Sequence, residues 1–108
     1  MAMRTRDEET RAIPWWVPGK KFELGQLVVT SGVAELMETT KLDVLALTRR
    51  HQRGDWGDLD PFDRRLNDEA LRTGEERLFS AYETEEGRIW IITEWDRSVT
   101  TVLLPKEY

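Results

Sequence analysis

An α+β fold is predicted, with two to three helices packed on an antiparallel sheet of about four strands in the order β-α-α-α-β-β-β. Three observations predict it. The C-terminal part holds three β-rich runs, RLFSAYET, RIWIITEW and VTTVLLP, separated only by Glu85-Glu86-Gly87 and Asp96-Arg97-Ser98. Polar turns this short join antiparallel neighbours. The middle holds apolar residues at helical spacing between capping residues and terminating glycines. One more β-rich run, LGQLVVT, precedes the helices. Strand, helices, then strands is the α+β order, unlike the strict alternation of a parallel α/β chain. At 108 residues with 39% apolar content the chain suits a single domain.

Residues 1–12 are polar without a period, and residues 1–21 are expected to be a disordered or loosely docked tail ahead of a domain spanning 22–108. Two prolines and a glycine in IPWWVPGKKF forbid a regular element there. Trp15 and Trp16 within it either tie the tail to the core or anchor a partner. Residues 24–30 read as a strand broken by Ser31 and Gly32, and 33–38 as a short helix with Ser31 as its cap. Thr40, with Asp43 three residues on, is expected to start the next helix. Val44, Leu47, Thr48 and His51 share one of its faces, Leu42, Leu45 and Arg49 lie on a neighbouring stripe, and Gly54 suits the position after its end. Asp60-Pro61 is a start signal for the third helix, Asp63 sits near its positive pole, and Gly74 ends it. Phe62, Leu66, Glu69 and Ala70, with Leu71, are its expected apolar stripe. In the central C-terminal strand Ile89, Ile91 and Thr93 alternate with Trp90, Ile92 and Glu94, so both sheet faces should be at least partly covered.

Composition narrows the function. A net charge of -5 from 21 acidic and 16 basic residues argues against a general phosphate-backbone binder. With no cysteine and one histidine, thiolate chemistry and Cys- or His-based metal sites are excluded. No apolar run approaches a membrane span and the start lacks the apolar core of a secretion signal, so a cytoplasmic location without membrane contact is expected. No cofactor is implied, and the oligomeric state is open.

Three constellations compete for function. His51 beside Arg49, Arg50 and Arg53 suits a general acid or base among phosphate-holding cations; the plainer and favoured reading is that cations in a last helical turn complement the helix dipole and the histidine caps carbonyls. Glu94, Arg97 and Thr100 or Thr101 place a carboxylate, a guanidinium and a hydroxyl around one hairpin. The plainer reading is a turn clamp, with Asp96 forming an Asx-turn and Arg97 pairing Glu94. In Gly54-Asp55-Trp56-Gly57-Asp58 the glycines permit positive φ around a core-plugging Trp56, while the aspartates satisfy loop amides. A metal site at Asp55, Asp58, Asp60 and Asp63 is not expected, because the spacing fits no calcium loop and Asp60 suits a cap. Asn67 is expected to bond this loop from below.

The blocks RRHQRGDWGDL, DRRLNDEAL and LFSAYETEEGRIWIITEWDRSVTTVLLPKEY resemble a family of small bacterial proteins met on plasmids, phages and other mobile elements, often termed plasmid-related proteins. The resemblance covers Leu24 to Tyr108, with Trp95 standing where the family pattern has a small residue. It implies a mobile-element accessory protein and carries no reaction with it. The leading expectation is a protein that binds another macromolecule, using Arg50, Arg53, Asp55, Trp56, Trp15 and Trp16, with a protein as partner and RNA left open. The element order is also similar to that of small ribonucleases of the barnase, colicin and toxin type. That likeness implies the alternative, a metal-independent endoribonuclease using His51, Glu94, Arg97 and Thr101 gathered in one cleft. A nucleic-acid-binding regulator is a third reading, disfavoured by the acidic balance.

Overall fold

A computed structural model describes residues 19–108. Three helices pack on a four-stranded sheet. The order is β1 (Gln26–Val29), α1 (Ser31–Thr39), α2 (Val44–Gln52), α3 (Pro61–Thr73), β2 (Leu78–Thr84), β3 (Gly87–Thr93) and β4 (Val99–Leu103), closed by a 3-10 turn at Pro105–Glu107. Across the sheet the strands run β1-β4-β3-β2. The two short turns produce the antiparallel β2–β3–β4 meander, with Ser80 opposite Ile91 and Ile91 opposite Val102. β1 departs from an all-antiparallel sheet by joining β4 in parallel, Leu27 beside Thr100 and Val29 beside Val102. Parallel neighbours need a long crossover, and the three helices and two strands between β1 and β4 supply it.

The period-2 alternation sorts the faces. Leu78, Ser80 and Tyr82, Ile89, Ile91 and Thr93, and Thr100 and Val102 all lie buried on the side covered by helices. Val33, Val44 and Leu47 meet that side and form the main core with Tyr82, Ile89, Ile91 and Val102. On the other side Trp90 sits between the rings of Phe79 and Tyr108, with centroids 5.0 Å and 5.6 Å away. Both faces of β3 are therefore covered, the second by little more than the C-terminal turn.

Helix boundaries follow the caps, with corrections. Asp60 accepts from the Asp63 amide and Pro61 opens α3, as read from the sequence. α1 is capped by Thr30, one residue before Ser31, because the Thr30 hydroxyl reaches the Val33 amide. α2 starts later than Thr40: Asp43 caps it, while the Thr40 hydroxyl donates to the Leu36 carbonyl at the end of α1. On α3 the expected stripe holds only at Ala70 and Leu71. Asn67 and Ala70 are buried, whereas Phe62 and Leu66 are 60% and 53% exposed. The helix lies beside the β2 edge, and only its Asn67–Ala70–Leu71 side meets Leu78 and Trp56 there.

Candidate functional site

His51 sits on the buried face of α2 that Val44, Leu47 and Thr48 define, and no part of it is exposed. Its Nδ1 lies 2.6 Å from Ser80 Oγ on β2 and its Nε2 2.9 Å from Thr93 Oγ1 on β3. Thr93 Oγ1 lies 2.7 Å from Thr100 Oγ1 on β4, which donates to the Leu24 carbonyl. That carbonyl only accepts, so each hydroxyl in turn must donate toward Leu24. The order makes Nε2–H the donor to Thr93 and leaves Nδ1 to accept from Ser80. Phe22 and Trp56 close over the ring edge-on, at 5.2 Å and 5.7 Å. Burial, with a smaller contribution from the positive charge of Arg97, pushes the His51 pKa down to about 3. This imidazole is neutral and out of reach of any solute. The sequence grouping of Arg50, His51 and Arg53 as one surface spot is corrected: His51 points into the core, while Arg50 stays outside. Arg50 makes a two-pronged pair with Asp55 (2.7 Å and 3.3 Å) and lies over the Tyr82 ring at 4.5 Å. Arg53 is the exposed C-cap of α2.

The GDWG loop has a different task. Asp58 N donates to the Ala81 carbonyl (2.6 Å) and Ala81 N to the Trp56 carbonyl (3.2 Å), so the loop pairs with β2 as a short parallel strand. The Asp58 carboxylate takes the Glu83 amide at 2.9 Å. Gly57, at φ 77°, makes this approach possible, because a Cβ there would stand 2.1 Å from the Ala81 oxygen. Arg64 braces the loop from α3, donating to the Gly57 and Leu59 carbonyls. Trp56 is 2% exposed, its Nε1 donating to Asp68 at 3.1 Å, so it is the expected plug and has no free surface for a partner. Asn67 does not bond the loop as expected. It pairs with the Phe79 backbone instead, Nδ2 to the carbonyl at 2.6 Å and Oδ1 from the amide at 3.1 Å. Asp55, Asp58 and Asp60 are occupied by Arg50 and the Gly57 amide, by Glu83 and by the α3 cap respectively. Among the described residues no three carboxylates or imidazoles gather to hold a metal.

The β3–β4 hairpin divides its candidates. Arg97, held at φ 60°, donates to the carbonyls of Glu76, Glu94 and Trp95 and to Ala70 at the end of α3. It is a clamp, made on main-chain oxygens and not on the Glu94 carboxylate as expected. Asp96 forms the expected Asx-turn on Ser98 N at 3.1 Å. Thr100 belongs to the His51 relay on the helix-covered face. Glu94 and Thr101 emerge on the other face and line one groove of about 270 Å³ with Thr30, Arg77, Glu107 and Tyr108, over Ile92 and Leu103. The ribonuclease set is thus split by the sheet: His51 on one side, Glu94 and Thr101 on the other.

Arg77, Glu107 and Tyr108 carried no sequence signal, lying at a strand start and at the chain's end. Arg77 donates to the Tyr108 hydroxyl at 2.7 Å. Glu107 accepts from Thr30 Oγ1 (2.5 Å) and from the Gly32 and Leu104 amides (2.9 Å each), and these bonds, Thr30 first, hold its carboxyl below the usual range. No described residue bonds the Glu94 carboxylate, which remains the groove's open acceptor. The groove offers a carboxylate, a guanidinium, hydroxyls and an aromatic ring, a set suited to hydrogen bonding and stacking. Trp15 and Trp16 lie outside the described residues, and no described helix is long and apolar enough to cross a membrane. No family model, curated protein or solved structure matches the chain.

Proposed function

We propose that this chain is a mobile-element accessory protein that binds another protein through the less covered face of its sheet, around the Glu94 groove. The observation that carries binding over catalysis is the burial of His51. Metal-free RNA cleavage needs a base and an acid within hydrogen-bond reach of the reacting oxygens. The single histidine is sealed, neutral and on the opposite face. Interface energy concentrates in aromatic and arginine side chains around a partly apolar centre. The groove has Arg77, Tyr108 at 67% exposure and an apolar floor, and Trp95 beside it in the chain is 62% exposed. Glu94 and Glu107 there disfavour a phosphate backbone, which favours protein over RNA. The mobile-element half of the proposal is supported by the GDWG and ITE-x-DR-x-x-TT-x-LLP blocks described above.

The test places a photo-crosslinking amino acid at position 95 or 108, and at the exposed position 38 on α1 as a control, in bacterial cells. A discrete protein adduct from 95 and 108, absent from 38 and lost on Arg77→Ala, is expected. No adduct, or the same adduct from all three positions, overturns the proposal. In parallel, a structured RNA in EDTA should stay intact across roughly pH 5 to 9. Cleavage abolished by a folded Glu94→Gln variant would return the groove to catalysis.

A further inference from the structure

A second surface, separate from the Glu94 groove, lies along the outer edge of β1. The amides of Gln26 and Thr30 donate inward to the carbonyls of Ser98 and Val102 on the β4 side. Strand alternation therefore turns the amides and carbonyls of Leu27 and Val29 outward. Among the described residues no strand pairs with that edge. Natural sheets blunt such an edge with lysine, proline, a bulge or a covering loop, and Gln-Leu-Val-Val carries none of the first three. Beside it, on the helix side of the sheet, runs a mainly apolar groove of about 490 Å³. Leu27 and Val29 form one wall, and Met37 and Leu45, 45% and 57% exposed, lie on the other. Lys41 and Asp43 stand in the same groove. Asp43 uses one oxygen on the Ala46 amide, and no described residue bonds the Lys41 ammonium.

We propose that β1 is a dimerisation edge: two copies of this chain pair their β1 strands antiparallel about a two-fold axis at Val28, joining both sheets into one. In this register Leu27 of one copy faces Val29 of the other and the reverse, and each pair exchanges both backbone bonds, satisfying every outward group of the strand. The axis keeps the helix sides together, so the apolar side chains of each β1 border the groove of its neighbour. An isologous contact demands a self-complementary surface. Lys41 and Asp43 suit one, because a groove that carries both signs of charge can pair Lys41 of one copy with Asp43 of the other. A strand with three apolar residues in a row beside an apolar groove that carries both signs of charge fits a second copy of itself.

The chain has no cysteine, so a single introduced thiol reports the register. At the axis, Val28 forms a non-hydrogen-bonded pair with its copy, with Cα atoms about 4.5 Å apart, a separation a disulfide spans. Two Gln26 residues in this register lie about 13 Å apart along the strands. Val28→Cys is expected to oxidise to a covalent dimer at least tenfold faster than Gln26→Cys. The wild type should show a concentration-dependent monomer–dimer equilibrium in sedimentation velocity, weakened at least tenfold by Leu45→Glu, a change at an exposed position. Equal oxidation rates for the two thiols overturn the proposal. So does a wild type that stays monomeric at high micromolar concentration, or a dimer that Leu45→Glu leaves intact. A monomer that instead binds an extended apolar peptide, blocked by Leu45→Glu, would assign the edge to a foreign strand.

Discussion

Along β2 the outward backbone groups of Phe79 and Ala81, and the outward amide of Glu83, have partners: Asn67 holds Phe79, the Trp56–Asp58 backbone holds Ala81, and the Asp58 carboxylate holds Glu83. Along β1 the equivalent groups of Leu27 and Val29 face outward beside an apolar groove. The two edges start from the same backbone chemistry, since any sheet margin presents unpaired donors and acceptors. They differ in what the neighbouring sequence supplies. The loop after α2 contains a glycine that admits backbone contact and a tryptophan that anchors it, and α3 supplies an amide side chain that imitates a strand. Next to β1 the chain turns directly into α1 at Thr30, and among the described residues nothing comparable covers it. One edge is finished within the fold, and the other, unpaired among the described residues, is the edge proposed above for dimerisation. The chain from Ser80 through His51, Thr93 and Thr100 to Leu24 spans the distance between them.

This contrast can be broken from its closed side. Trp56→Ala removes the plug under the loop, and an aromatic truncation in a core costs about 3–5 kcal/mol. Denaturant titration should show that loss, and a loss below about 1 kcal/mol would mean that the loop holds β2 without its anchor. The Arg50–Asp55 pair in the same loop is half-exposed and worth at most about 1 kcal/mol, so Asp55→Asn should not mimic Trp56→Ala. Asn67→Ala strands both the amide and the carbonyl of Phe79, at a cost of about 2 kcal/mol. Asn67→Asp keeps an acceptor for the amide but sets a buried carboxylate oxygen against the Phe79 carbonyl, so it should not recover the loss at neutral pH. Equal stability of all three proteins would show that water closes this part of the edge.

The relay between the edges gives a pH signature. The His51 pKa falls from 6.5 when unfolded to about 3 when folded. Between those values the unfolded chain binds a proton that the folded chain refuses. Stability from this group is therefore present above about pH 6.5 and is lost as pH falls toward 3, at up to about 1.4 kcal/mol per pH unit. The carboxyls of Asp55, Asp96 and Glu107, whose pKa values are lowered, add their own loss at lower pH. Comparing unfolding free energies at pH 7 and pH 5 isolates the histidine. The wild type should lose stability over that interval and a folded His51→Gln variant should lose much less. Matching slopes would place the origin elsewhere. The smallest effect belongs to the open edge: Leu45→Glu, at an exposed site, should shift monomer stability by no more than about 0.5 kcal/mol. A larger loss would mean that the groove is part of the core.

Local chemistry was readable before folding. Asp60-Pro61 and Gly74 bound α3 because caps and φ limits act within a few residues, and the strand–turn alternation of residues 78–103 gives the meander for the same reason. The two glycines around Trp56 announced a plug. The helical spacing of Val44, Leu47, Thr48 and His51 already put the histidine on the apolar face, yet the cations on either side of it suggested a surface site. Burial decided between them, since a ring enclosed by Ser80, Thr93, Phe22 and Trp56 is held neutral whatever its neighbours in the chain. The remaining decisions joined residues far apart. Asn67 finds Phe79 only once α3 lies along β2. Thr30 meets Glu107, 77 residues away, only because β1 lies beside β4 and the C-terminal turn folds back over it. The sequence by itself determined which segments become helix, strand and turn, because those choices are settled by bonds between near neighbours. Tertiary structure alone decided which sheet edge is closed, which face carries an accessible groove and which histidine nitrogen holds the proton, because each depends on donors and acceptors that meet only when distant segments pack.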